Sequence, residues 1–234
     1  MFFEDIHSFH REEFEFRVTN NFTYPSHIHH AFEFHVQIEG QTQCMVNGKE
    51  YVLSPGDAVL CFPYQYHSIK ALTEGSFFSV FFSPDIVLDF YKTGIIPTEN
   101  NMKFPPDPNI DLSNRFLCHA FAYQICGLFD KGREYTNDNT NNDILTSILT
   151  YADTHFCEEH LLKNISEKIG YNYTYISKFF KKKLGISFNQ YVNLLRIQKS
   201  ENLLMKTRKG VTEIALECGF NSLRSYNRKF SEIF

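Results

Sequence analysis

Apolar and charged residues alternate through Phe14-Glu15-Phe16-Arg17-Val18, a period of two that predicts a strand with one buried face; residues 1–23 as a whole predict one or two such strands. The same signal continues from Tyr24 to Phe82. Phe32-Glu33-Phe34-His35-Val36-Gln37-Ile38 runs to Gly40, and residues 42–46 meet residues 49–53 across Asn47-Gly48, the pair that a type I′ hairpin turn favours. Pro55-Gly56-Asp57 marks another turn, followed by strands over 58–62 and 77–82. Short strands broken at this spacing by Gly and Pro predict a sandwich or small barrel.

Beyond a loop over 97–108 the period changes. Ser113 stands where it can cap a helix whose Phe116, Leu117, Ala120, Phe121, Gln124, Ile125, Leu128 and Phe129 share one broad face, wide enough to pack on the barrel and leave surface for a second subunit. Residues 131–142, ending Asn-Asp-Asn-Thr-Asn-Asn, are polar and predict an interdomain linker. The expected organisation is therefore a barrel over 1–112, a packing or dimerisation helix over 113–130, the linker, and a helical domain over 143–234.

That helical domain opens with a helix over 143–156 carrying Ile144, Leu145, Ile148, Leu149 and Ala152. In 161–183 a short helix with Ile165 and Ile169 on one face reaches Gly170, whose backbone freedom suits a sharp turn, and Asn172 then caps a second helix. This second helix points Ile176, Phe179 and Phe180 inward and Thr174, Ser177, Lys178, Lys181 and Lys182 outward. The pattern is a helix-turn-helix with a basic face suited to a groove walled by phosphates. It is also repeated. Ile165, Gly170, Tyr171 and Asn172 recur 49 residues later as Ile214, Gly219, Phe220 and Asn221, and Ile176, Lys178 and Phe180 recur after 50 as Tyr226, Arg228 and Phe230. Core packing alone does not explain two copies of one turn-bearing unit. A helix over 187–206, apolar at Phe188, Tyr191, Leu194, Leu195, Ile197, Leu203 and Leu204, joins them and has the length to hold two recognition helices about one duplex turn, roughly 34 Å, apart.

Charge sharpens the division. The net charge of -4 splits into fourteen Lys and Arg against seven Glu from Glu158 onward and nine basic against twenty acidic residues before it. A basic C-terminal part fits a polyanionic partner, and the acidic N-terminal part has a different task. The six cysteines, Cys44, Cys61, Cys118, Cys126, Cys157 and Cys218, form no Cys-x-x-Cys pair, and the chain opens on no signal-peptide pattern and contains no membrane-length apolar run. Reduced thiols in the cytoplasm and no membrane association are the expectation.

One spacing in the barrel carries chemistry: His27-x-His29, Glu33, Gly40, then Gly56-Asp57, Pro63 and His67. Alternate strand residues share a face, so His27 and His29 can converge, and neighbouring strands can add Glu33 and His67; such a set satisfies Fe, Mn, Zn or Ni. The arrangement resembles the two motifs of the cupin superfamily over residues 24–70, with second-motif distances closer to the ligand-sensing relatives than to the metal enzymes. No metal and no cofactor are expected: the histidines are hydrogen-bonded in or beside a sugar-sized pocket, with Tyr24, Tyr64 and Tyr66 offering hydroxyls. Tyr24, His27, His29, Glu33, Tyr66 and His67 are the effector-binding candidates. His30 and His35 are expected at the surface or an edge.

Residues 165–185, then Phe188, Tyr191, Arg196-Ile197 and Leu203-Leu204, then Val211-Thr-Glu-Ile-Ala215, Cys218-Gly219-Phe220 and Arg228-Lys-Phe230 resemble the AraC/XylS family of transcription regulators over residues 143–234. The resemblance implies an effector-responsive homodimer on promoter DNA, with RNA polymerase as a further partner and the small-molecule pocket in the barrel. Carried over, the base-reading positions are Thr174, Ser177 and Lys178 in the first recognition helix and Leu223, Arg224, Ser225, Asn227 and Arg228 in the second. Arg224 and Arg228 suit guanine edges or phosphates, and Lys181, Lys182 and Lys183 suit phosphates. Ser166 and Ser200 stand where the family usually has Ala, and Tyr226 where it has Phe. Gly185 follows Phe180 by five, so the matching glycine would fall just after Phe234, and the second unit is expected to be truncated before a closing helix. The fold expected is α+β in two domains, a cupin-like barrel or sandwich followed by an all-α double helix-turn-helix. The competing functions are a metal-dependent cupin enzyme, an isomerase or dioxygenase using His27, His29, Glu33 and His67, and a nucleic-acid-binding structural protein without an effector.

Overall fold

A computed structural model of the chain describes residues 2–3, 13–91, 95–104, 110–137 and 143–233. The chain divides into two compact units, Met1–Asp138 and Asn139–Phe234. The first holds strands β1 (Phe2–Phe3), β2 (Phe14–Asn20), β3 (Tyr24–Ile28), β4 (Phe32–Glu39), β5 (Thr42–Val46), β6 (Lys49–Leu53), β7 (Asp57–Cys61), β8 (His67–Ala71), β9 (Ser76–Phe82), β10 (Ile95–Pro97), β11 (Asn101–Lys103) and β12 (Tyr135–Asn137). A 3-10 turn, Pro84–Val87, follows β9, and helix α1 (Arg115–Asp130) precedes β12. One five-stranded sheet runs β1-β3-β8-β5-β6, a second runs β11-β7-β4-β9-β2, and β10 pairs with β12.

The inner strands β4, β7 and β9 of the second sheet are buried on both faces, and their alternation sorts residues between two interiors. Phe32, Phe34, Val36, Ala58, Leu60, Phe62, Val80 and Phe82 pack against Phe121, Ala122, Ile125, Cys126 and Phe129 of α1. Val59, Cys61 and Phe77 from its other face join Cys44, Val46, Tyr51, Leu53 and Ile69 of the first sheet. The β5–β6 hairpin turns at Asn47 and Gly48, both at positive φ (48° and 84°), as a type I′ turn requires.

Several sequence expectations change here. The helix starts one residue later than expected, because Asn114 rather than Ser113 caps it: Asn114 Oδ1 accepts the Phe116 and Leu117 N–H groups at 3.0 and 3.1 Å. The loop expected over 97–108 contains β11, paired with β7, while residues 105–108 lie outside the described ones. The linker expected over 131–142 contains β12, which the ladder to Ile95–Pro97 draws into the first unit, and residues 138–142 lie outside the described ones. The face expected on α1 is divided. Phe121, Ile125 and Phe129 are buried with Ala122 and Cys126, whereas Phe116, Ala120, Gln124 and Leu128 are exposed, Phe116 to 85 %. Strand β2 lacks the buried face expected: Glu15, Phe16, Arg17 and Val18 are all exposed, and the Arg17 guanidinium lies 4.8 Å over the Phe81 ring.

The second unit is helical: α2 (Asp143–His155), α3 (Leu161–Ile169), α4 (Tyr173–Leu184), α5 (Phe188–Lys206), α6 (Val211–Glu217) and α7 (Leu223–Ile233). Ser187 and Gln190 form a reciprocal capping box at the start of α5, which fixes where this long helix begins. Its N-terminal half feeds the first turn unit, with the Phe180 ring 5.4 Å from Phe188 and 5.5 Å from Tyr191. Its Ile197 packs in the second unit's core with Ile214, Ala215, Cys218, Phe220 and Tyr226. The two turns are made by Gly170 at φ +73° and Gly219 at φ +86°, but their surroundings differ. A Cβ on Gly170 would meet nothing within 4 Å, whereas one on Gly219 would lie 2.5 Å from the Cys157 carbonyl oxygen.

This difference sets a test. Gly170→Ala carries only the left-handed backbone penalty, about 1–2 kcal/mol. Gly219→Ala adds a collision with backbone and is expected to lower the urea midpoint markedly further. Equal losses for the two variants in urea unfolding would contradict the close approach at Gly219.

Candidate functional site

The alternation of β4 that sends Phe32, Phe34 and Val36 toward α1 sends Glu33, His35 and Gln37 between the two sheets, where all three are at most 3 % exposed. On the facing sheet His27 and His67 are direct cross-strand partners of β3 and β8, and His29 follows β3 by one residue. Glu33 therefore sits among imidazoles. Its Oε2 lies 2.6 Å from His67 Nε2, 2.8 Å from His29 Nε2 and 3.7 Å from His27 Nε2, and its Oε1 lies 2.6 Å from His35 Nε2. His27, His29, Glu33 and His67 are each at most 2 % exposed, and one ligand atom from each falls within 4.8 Å of all the others.

The outer ring nitrogens show how the imidazoles are oriented. His27 Nδ1 donates to the Pro25 carbonyl at 3.0 Å and His67 Nδ1 to the Gln65 carbonyl at 2.9 Å; a carbonyl only accepts, so both Nδ1 atoms carry hydrogen. His29 is the reverse, since its Nδ1 accepts the Ala31 N–H at 3.2 Å and its Nε2 donates to Glu33. His35 Nδ1 contacts Ser79 Oγ at 2.8 Å, which holds one end of the ring, while Nε2 lies at ion-pair distance from Glu33 Oε1 without hydrogen-bond geometry. Burial is the largest influence on His29 and lowers its pKa from 6.5 to about 4, against the hydrogen bond and charge of Glu33. Burial opposes ionisation of Glu33, yet the charges of His35 and His67 with the hydrogen bonds of His27 and His29 hold its carboxyl well below the usual range.

Sequence reasoning placed His35 at the surface and so missed this partner. The signal was present, because Glu33-x-His35 share a strand face, but a continuous buried run does not reveal which face meets a polar neighbour. Of the tyrosines, Tyr24 sets its ring edge-on to His27 with centroids 4.7 Å apart, while the Tyr66 hydroxyl lies against the Asn47-Gly48 turn. Tyr64 packs beside His30, 5.2 Å between ring centroids.

In the helical unit Asn172 Oδ1 accepts the Thr174 N–H at 2.8 Å and starts α4 as expected. Ile176 and Phe180 are fully buried; Thr174, Lys178, Lys181 and Lys182 are exposed, and Ser177 is half-buried. Phe179, expected inside, is half-buried instead. It ends a column of rings along the outer side of α4, Tyr171 to Tyr175 at 5.4 Å and Tyr175 to Phe179 at 5.8 Å, with Lys183 Nζ 5.7 Å from the Phe179 centroid. Four-residue spacing stacks them on one side of the helix. On α7, Arg224, Asn227 and Arg228 are exposed, and Leu223 is half-buried against the second core. Ser225 is half-buried too: its N–H donates to Ser222 Oγ at 3.2 Å and its hydroxyl to the Ser222 carbonyl at 2.8 Å. Among the described residues no helix is long and apolar enough to cross a membrane.

Residues 12–148 match the family described as AraC-like ligand binding domain, and residues 165–234 match the one described as helix-turn-helix domain. An uncharacterized HTH-type transcriptional regulator of Staphylococcus aureus is 34 % identical over 93 residues, which are 40 % of this chain and 12 % of that protein. The Transposon Tn10 TetD protein of Escherichia coli is 30 % identical over 101 residues, 43 % of this chain and 73 % of that one. The chain thus spans 12 % of the length of the Staphylococcus relatives. Among solved structures, fatty-acid-bound ToxT from Vibrio cholerae aligns over 96 % of this chain and 93 % of its own, at 15 % identity and a TM-score of 0.44. The C-terminal domain of AraT, a response regulator from Geobacillus stearothermophilus, aligns over 38 % of this chain and 74 % of its own, at 28 % identity and a TM-score of 0.36.

The cluster makes stability depend on pH with a defined sign. Between pH 6.5 and about 4 the unfolded chain takes up a proton at His29 that the folded chain refuses, so stability falls as pH falls through that window. Glu33 adds to the fall below the ordinary carboxylate range, where the unfolded carboxyl protonates first. Denaturant midpoints from pH 7 to 4.5 are expected to decrease, and His29→Gln to flatten the upper part of the curve; an unchanged slope in that variant would contradict the assignment.

Proposed function

We propose that this chain, which belongs to the AraC-like ligand-binding family, is a sequence-specific regulator of transcription whose two recognition helices read promoter DNA under the control of an effector held by the barrel. The observation that carries the reading is the duplicated capped turn. Asn172 starts α4 and Ser222 starts α7, each behind a positive-φ glycine, and each helix buries one side while presenting cations on the other. Exposed Thr174, Lys178, Arg224, Asn227 and Arg228, with the half-buried Ser177, Leu223 and Ser225, are the base-facing set in this reading. Lys181 and Lys182 hold phosphates. Guanidinium groups donate two parallel bonds to a guanine edge, whereas ammonium groups act as point charges on the backbone.

The protein works as a homodimer in the cytoplasm, with RNA polymerase as its partner at the promoter. Support for the dimer lies in the outer side of α1, where Phe116, Tyr123 and Leu128 are 85, 45 and 48 % exposed on one helix. The protein is not an enzyme in this reading. The effector-binding set is Tyr24, His27, His29, Glu33, Tyr66 and His67.

Anisotropy of labelled DNA from upstream of the gene, titrated beside a scrambled duplex at fixed salt, tests the function. A preference of about a hundredfold, or about 2.7 kcal/mol, is expected, and equal weak binding to both duplexes would sink the reading. Arg224→Ala or Arg228→Ala is expected to cost about 1–3 kcal/mol on the native duplex and to relax specificity, whereas Lys181→Ala lowers affinity for both and reduces the salt slope by about one. Phe116→Glu is expected to halve the molar mass in light scattering; a monomeric parent protein would remove the dimer.

A further inference from the structure

We infer that the first unit holds a binding site for a small organic cation, an alkylammonium, in the cavity enclosed by Phe62, Asp89, Phe90, Ile95, Asp130 and Tyr135. The cavity measures about 320 Å³, within the range of small-molecule sites. Phe62 belongs to the core between the second sheet and α1, whereas Glu33 faces the opposite interior, so the cavity is separate from the imidazole cluster. None of the effector candidates named above lines it. The site stands on this geometry and needs no part of the regulator reading.

The composition of the wall is the first argument. Three of the six residues are aromatic, two are carboxylates, and no Lys or Arg lines the cavity among the described residues. Centroid to centroid, Phe62 lies 5.6 Å from Phe90 at 50° and 6.5 Å from Tyr135 at 60°, so the rings form inclined walls rather than a stack. A cation is attracted to a ring when it sits within about 6 Å of the centroid, and a group held beside Phe62 is near both neighbouring rings as well. A neutral apolar ligand would use the rings equally but leave the carboxylates without a counter-charge.

Burial is graded in the sense that an alkylammonium needs. Phe62 is buried, Phe90, Ile95 and Tyr135 are half-buried, and Asp89 and Asp130 are exposed. Rings thus cover the alkyl part, and the ammonium meets the carboxylates where water still reaches them. Neither charge is taken fully out of solvent, which would be costly.

The local charges agree. The Tyr135 hydroxyl donates to Asp130 Oδ1 at 2.7 Å, which orients the carboxylate and leaves the phenol oxygen free to accept an N–H from a ligand. Burial, then the Asp130 hydrogen bond and charge, push the phenol pKa up, so the group stays neutral. Arg133 is the cation nearby, but its guanidinium lies 4.3 Å from the Phe129 centroid and donates to the Phe129 and Asn101 carbonyls at 3.3 and 2.9 Å. At Tyr135 its charge counts for less than that of Asp130. The excess of acidic residues in the chain before Glu158 further favours small cations over anions.

Isothermal titration calorimetry on the full chain tests the site, with choline and butylammonium as probes at constant ionic strength. The neutral counterpart of choline, 3,3-dimethylbutan-1-ol, is titrated beside them. Saturable one-to-one binding of at least one cation is expected, about tenfold or more tighter than the alcohol. Asp130→Asn, which keeps an acceptor for Tyr135, and Phe90→Ala are each expected to weaken the cation about fivefold or more. Glu50→Gln removes the same charge from the exposed β5–β6 hairpin and is expected to change nothing. No saturable binding of either cation at millimolar concentration overturns the site. Equal affinity for the alcohol overturns the cation assignment, and undiminished binding in folded Asp130→Asn places the ligand elsewhere and overturns the site too. If Phe90→Ala does not fold, Asp130→Asn decides alone.

Discussion

A charged carboxylate taken out of water must be paired, and that requirement organises the interior of the first unit. Glu33 is fixed on β4 by the packing of its neighbours: Phe32 and Phe34 are held against α1, so the residue between them has no choice but to face the opposite sheet. Its two oxygens are then met by four imidazoles from three places in the chain. Those imidazoles are themselves tied by the Pro25 and Gln65 carbonyls, the Ala31 N–H and the Ser79 hydroxyl. A partly satisfied network of this kind costs more than an apolar core, and a fully connected one rigidifies it.

The helical unit obeys a different constraint. A recognition helix must expose one side to a partner and still be held firmly, and α4 and α7 each have only one apolar side to bury. Helix α5 resolves this by serving both: Phe188 and Tyr191 close over Phe180, and Ile197 joins Ile214 and Tyr226. The half-buried Arg196 strengthens the join, donating to the Phe156 and Glu158 carbonyls at 2.7 and 3.0 Å. It therefore belongs to the scaffold rather than to the basic surface. Counting charges along the chain does not separate these roles; hydrogen-bond partners do.

Much of this was legible in the residues. The Asn47-Gly48 hairpin, the Asn172 cap and the spacing of Ile176 and Phe180 followed from local rules, because turn chemistry and helical period act over a few residues. Errors arose where distant segments compete for the same group. Ser113 and Asn114 are both good caps, and local rules do not choose between them; the structure uses Asn114. Strand β12 was hidden in a polar run because its ladder to β10 spans some forty residues of chain, a pairing no local window sees.

The sequence by itself determined the two-part organisation, the duplicated turn and the identities of His27, His29, Glu33 and His67 as a set, since spacing and alternation put them on compatible faces. Only the tertiary structure decided that His35 joins that set, that Phe179 stays outside its core, and that the donors converge on one carboxylate oxygen. The physical reason is that a buried strand presents two interiors at once. Periodicity tells which residues share a face, but which face meets a charge and which meets a helix depends on what packs there.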